Sequence, residues 1–167
     1  MLRIIFIVLI SISLIGCDSD RIARLEKQNE EIKAQLQQSR AAAELDLQAK
    51  CSKDAKTFFS ERAGRDKDTL LLDYFNHYNK RENKCFIIIE NHYNSHFAEP
   101  RGQSWTNDMV LYDVYENEKY GNLAENHYTY YKPQISTHDE MLSCAVSGKK
   151  CNSLQEFNSF VAPFMNE

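Results

Sequence analysis

The chemistry open to this chain rests on its cysteines, histidines and tyrosines. Of five cysteines, four lie beyond residue 50, at Cys51, Cys85, Cys144 and Cys151. In an exported chain an even set of this kind reads as disulfides, with three connectivities to choose from. We favour Cys51–Cys85, which ties a helix face to an apolar strand, and Cys144–Cys151, which closes a short loop through Ser147-Gly148-Lys149. A four-cysteine zinc site is the rival, but no two of these cysteines have the close spacing of a zinc knuckle.

His92 and His96, with Glu90 or Glu99 nearby, have the residue types of a metal site. They fall where a strand runs into a loop rather than on a helix face, so a polar surface pair is the preferred reading. His127 and His138 carry no motif. The string Asn-His-Tyr occurs at Asn76-His77-Tyr78, Asn91-His92-Tyr93 and Asn126-His127-Tyr128. No surrounding sequence repeats with it, and strand alternation in an Asn- and Tyr-rich chain accounts for it. Tyr74, Tyr78, Tyr93, Tyr112, Tyr115, Tyr128, Tyr130 and Tyr131 fall in or beside predicted strands, and Trp105 in a predicted loop. Such a surface can stack on sugars or dock a protein, although tyrosine is also an ordinary strand former. No G-x-S-x-G, H-E-x-x-H, C-x-x-C or phosphate loop is present. The sequence therefore names no reaction, calls for no cofactor or metal, and favours a binding role over an enzymatic one.

The elements that position these residues follow from periodicity. No Gly or Pro occurs between Gly16 and Gly64, and good helix formers fill the interval. Ile22, Leu25, Ile32 and Leu36 take heptad a and d positions, with Asn29 on the intervening a position. A helical stalk and a short, weak coiled coil both fit. Cys51, Ala55, Phe58 and Phe59 then make one apolar stripe, which Gly64 is expected to end. From Leu71 to Tyr78 and from Lys84 to Tyr93 the pattern is that of strands around a polar turn. The run Cys85-Phe86-Ile87-Ile88-Ile89 is apolar on both faces and marks a central strand. Residues 94–108 read as a loop, Met109–Tyr115 and Tyr120–Tyr130 as a second hairpin, and Pro133 closes it. Ser153-Leu154-Gln155-Glu156 fits a capping box for a C-terminal helix that Pro163 should bend or end near Val161. The expected fold is α+β: an N-terminal helical stalk, an antiparallel sheet of about four strands, and a C-terminal helix packed on the sheet. The formal net charge of −4 gives no basic footprint for nucleic acid.

The chain start adds a further signal. Arg3 precedes an apolar run from Ile4 to Ile15, shorter than the roughly 17–25 residues of a bilayer-crossing helix. It ends in Leu14-Ile15-Gly16-Cys17, which resembles the lipobox of bacterial lipoproteins. The resemblance implies cleavage before Cys17, lipidation of Cys17, and a cell-membrane location on the periplasmic side. It also implies that Asp18, next to the anchor, favours the inner over the outer membrane. The block around Asn76-His77-Tyr78-Asn79 and Asn83-Lys84-Cys85-Phe86, with Cys151 and its helix, is similar to small exported bacterial proteins and implies no activity.

The organisation expected is residues 1–16 as signal peptide, 17–50 as lipid anchor and stalk, and 51–167 as a disulfide-stapled domain. The function expected is that of a lipid-anchored interaction module with an envelope protein partner and a weak homodimer through the stalk. Peptidoglycan or another glycan, held on the tyrosines, is the alternative. Cys17→Ser removes the thiol that would carry the lipid. Metabolic labelling with a fatty acid should mark the wild type and not the variant, and equal labelling of both would remove the lipobox reading.

Overall fold

In the computed structural model, residues 2–95, 102–131 and 135–166 are described, residues 2–18 by their backbone alone. The side chains of Cys17 and Asp18, together with His96, Glu99 and Pro133, lie outside the described residues. The elements in order are α1 (Leu2–Arg62), β1 (Thr69–Asn79), β2 (Lys84–Asn94), β3 (Gly102–Asp113), β4 (Glu118–Tyr130), β5 (Ser136–Val146), β6 (Lys149–Lys150) and α2 (Leu154–Met165). The chain divides into two compact units, Met1–Leu45 and Asp46–Glu167.

The first unit is helix throughout its described length. Ile22, Leu25, Ile32 and Leu36, the residues of the heptad seam, are all exposed. Among the described residues no helix is long and apolar enough to cross a membrane.

The second unit is α+β. Its six strands form one antiparallel meander in the order β1-β2-β3-β4-β5-β6, where about four were expected. The added strands are β5 and β6, and β3 begins at Gly102 rather than Met109. The reason is the same in both places. Ser136-Thr137-His138-Asp139-Glu140 is exposed along the sheet edge and has no apolar alternation to betray a strand. It is extended because it pairs with β4, Tyr130 opposite Ser136 and His127 opposite Asp139. The start of β3 is polar yet lies between two neighbours, so Ser104, Thr106 and Asn107 are buried.

Two helices cover opposite faces of the lower half of the sheet. On one face Cys51, Ala55 and Phe58 of α1 pack on Tyr78, Cys85 and Ile87, with Phe59, Tyr74, Ile89 and Tyr112 around them. On the other, Phe157 and Val161 of α2 pack on Phe86, Ile88, Leu111, Leu123 and Val146. The arrangement is therefore three layers rather than a sheet with one helix on it. Burying a side chain such as Phe86 or Phe157 completely contributes about 2–3 kcal/mol. β2 stands second in the sheet, not in its middle; its run is apolar on both sides because both helices lie over it.

Each helix is also stapled. Cys51 is joined to Cys85, linking α1 to β2, and Cys144 to Cys151, linking β5 to the residues before α2. This is the pairing favoured from sequence. At separations of 34 and 7 residues, the loop-entropy account assigns about 4 and about 2.5 kcal/mol. The span inside the second pair is a hairpin, not an open loop. Ser147 and Gly148 both have positive φ, as a two-residue turn of the mirror-image type requires.

Helix ends differ in detail from expectation. α1 stops at Arg62, and Gly64 is not left-handed. Ser153 Oγ accepts the Glu156 N–H at 3.1 Å, but the Glu156 carboxylate reaches back to Asn152 N rather than to Ser153 N. α2 does not stop near Val161. It runs through Pro163 to Met165 because the proline stands in the last turn, where its missing N–H removes a single bond.

That last turn is held by Asn79, which is fully buried. Its Nδ2 donates to Pro163 O at 2.8 Å and to Phe164 O at 3.4 Å, while its Oδ1 accepts from Glu82 N at 3.0 Å. One side chain thus closes the β1–β2 turn and satisfies carbonyls that a helix end leaves without partners. Asn79→Ala should cost about 2–3 kcal/mol. Urea denaturation should show a lower midpoint with an unchanged slope, and an unchanged midpoint would remove this role.

Candidate functional site

The upper half of the sheet extends past both helices, and there the aromatic and acidic side chains gather. Residues opposite one another in the ladder share a face. On the α2 face this places Trp105 opposite His127, and His92 opposite Asn107. The Trp105 ring stacks on His127 at 3.9 Å between centroids and meets His92 at 5.2 Å in a tilted contact. Each imidazole meets a carboxylate. His92 Nε2 lies 2.8 Å from Glu90, and His127 Nδ1 lies 2.8 Å from Asp139, with Glu125 3.5 Å from its Nε2. Beneath them Asn107 is 6% exposed, and its buried Oδ1 has no hydrogen-bond partner.

The three Asn-His-Tyr strings prove to share one phase. Each lies on a strand, with histidine toward α2's face and asparagine and tyrosine toward α1's. His77 stands opposite Phe86 in the lower half of the sheet, whereas His92 and His127 flank Trp105. His92 thus meets Glu90, one of the carboxylates considered for it, in a two-residue contact. Among the described residues no group of three or more His, Cys, Asp or Glu is placed to hold a metal ion.

The tyrosines do not form one patch. Tyr74, Tyr78 and Tyr112 pack under α1. Tyr115 and Tyr131 are exposed. Tyr93, Tyr128 and Tyr130 share the α1 face beyond the helix. There Thr106 Oγ1 donates to Asn126 Oδ1 at 2.6 Å, Asn126 Nδ2 donates to Tyr128 OH at 3.0 Å, and Tyr128 OH donates to Glu140 at 3.1 Å. His138, for which the sequence shows no motif, stacks on Tyr128 at 6.0 Å.

A cavity of about 170 Å³ opens on the same face at the end of α1, lined by Arg62, Leu72, Ile89, Asn91, Asp108 and Tyr112 among others. Asn91 Oδ1 is buried there without a partner. Burial pushes the Asp108 carboxyl above the ordinary aspartate range, and Lys119 opposes the shift.

The sequence names Trp105 beside the tyrosines, but Asn107 lies in a segment that reads as a loop and Asp139 in one assigned no element, so neither is legible as a site residue. The available signal was the common phase of the histidines. No protein-family model, curated protein or solved structure matches this chain.

The Asp108 geometry fixes a sign. A carboxyl whose pKa is higher folded than unfolded favours folding when protonated, so ionisation costs stability as pH rises past its unfolded value. Asp108→Asn should therefore raise the melting temperature at pH 7. The gain should shrink toward pH 4, and a gain independent of pH would contradict the burial account.

Proposed function

We propose that this chain is a lipid-anchored envelope protein that binds another protein through the Trp105 end of its sheet. Cys17 carries the lipid and Asp18 favours retention at the inner membrane; the stalk sets the height at which the domain meets its partner. Two disulfides suit an oxidising, exported setting.

The observation that carries the binding assignment is Trp105 stacked on His127 with His92 tilted against it. A ring that serves as a platform for a sugar needs an open face, and His127 already stacks on this one. What remains is a rigid aromatic edge in a half-buried surface, the type of anchor that protein interfaces use. A second reading, glycan binding, is supported on the opposite face, where Tyr128 is held by Asn126 and Glu140 beside Tyr93 and Tyr130.

A photoreactive residue at Gln103, exposed on the Trp105 face, tests the assignment in intact cells. It should give one dominant protein adduct, weakened by Trp105→Ala and by deletion of residues 22–42 while the domain stays folded. Adducts with peptidoglycan alone would favour the second reading. Undiminished crosslinking after the deletion would remove the role of the stalk.

A further inference from the structure

The Trp105 end of the sheet is strongly one-sided in charge. Asp73 and Glu90 face each other across β1 and β2, and Glu125 and Asp139 flank His127. Glu90 and Glu125 keep only 20% and 17% of their side-chain surface in solvent. Among the described residues, no lysine or arginine stands at this end of the α2 face, and α2 itself contains none. Lys84, on the same face, lies at the opposite end, beside Asp113, Glu116 and Tyr120.

Two further observations bear on what would complete this surface. Asn107 leaves a buried acceptor with no donor in the floor of the patch, and natural structures rarely leave such an atom unmatched. On the β1 side Leu71 and Phe75, which share this face, are 39% and 55% exposed. The patch therefore combines screened negative charge, an unsatisfied acceptor and a flanking apolar strip. Half-buried carboxylates without a cation are unfavourable, and a cation brought by a partner offsets that cost.

We propose that this surface takes a lysine- or arginine-bearing segment of its partner protein. The cations meet Glu90, Glu125, Asp139 and Asp73, and the aliphatic stems or neighbouring apolar residues rest on the Trp105 edge and Phe75. This rests on the protein-binding reading above and specifies the partner's chemistry.

Trp105 is the chain's single tryptophan, so its fluorescence reports on this site alone. The full-length protein in detergent is titrated with a short Lys/Arg-rich peptide lacking aromatic residues, and with Asp/Glu-rich and Ser/Gln-rich peptides of equal length. The basic peptide should shift Trp105 emission saturably and the other two should not. Glu90→Gln, Glu125→Gln and Asp139→Asn together should weaken the response roughly tenfold or more. Removing equal charge from the stalk, by Glu26→Gln, Glu30→Gln and Glu31→Gln, should leave it unchanged. Equal weakening by both sets, equal response to all peptides, or a saturable response to calcium alone would overturn the proposal.

The Gln103 crosslink separates this outcome from failure of the broader reading. A protein adduct whose mapped contact contains no basic residue, or an adduct with a second copy of this chain, sinks the charge assignment and leaves protein binding standing. Absence of any protein adduct sinks both.

Discussion

Along its first half, strand β2 has no solvent face. Phe86 and Ile88 project toward α2, Cys85 and Ile87 toward α1, and all four are buried. Each helix needs a surface on which to lay its apolar stripe, and this one strand supplies part of both. The disulfide at Cys85 fixes one helix to it directly. On the other face, Cys144–Cys151 holds α2's entry to β5, whose Cys144 faces Leu123 in the ladder. Loss of β2 would remove Phe86 and Ile88 from the layer under α2 and Cys85 and Ile87 from the layer under α1, so both helix contacts depend on it.

Because the helices cover only the lower half, the ladder must hold the upper half together by other means. Backbone pairing continues through β2, β3 and β4, and polar residues take the buried positions, with Ser104, Thr106 and Asn107 inside. Aromatic and imidazole rings stand in rows across the strands rather than beneath a helix. A sheet built this way presents both faces to whatever approaches. The buried apolar clusters lie in the covered half, and the proposed binding surface lies in the uncovered one.

The sheet's edges are treated differently. Along β1, Tyr78 N donates to Gln48, Arg65 donates to Leu72 O, and Tyr74 N donates to Asp73. Side chains thus occupy backbone groups that would otherwise recruit a further strand. Among the described residues, β5 is paired on its outer side only where β6 meets Ala145 and Val146. At the lower turns, Asp113 accepts from Tyr115 N and Glu116 N and lies 3.0 Å from Lys84 Nζ. The Lys84 ammonium is held well above the ordinary lysine range by Glu116 first, then by Tyr120 and Asp113.

By itself the sequence determined what local periodicity and local chemistry control. The apolar stripe of Cys51, Ala55 and Phe58, the two-faced run from Cys85 to Ile89 and the cap at Ser153 could all be read, since each is set by neighbours within a few residues. The α+β class and the favoured disulfides followed from those elements. Tertiary structure alone decided that β5 is a strand, that Pro163 lies within α2, and that Asn79 holds the end of that helix. It also decided that His92 and His127 both meet Trp105. Each of these depends on a partner distant in the chain: a ladder with β4 for a polar segment, a turn residue reaching a helix end, and register across three strands. Periodicity records which side of an element is buried. It carries no record of which polar segment will be paired, and the Trp105 site is built from such segments.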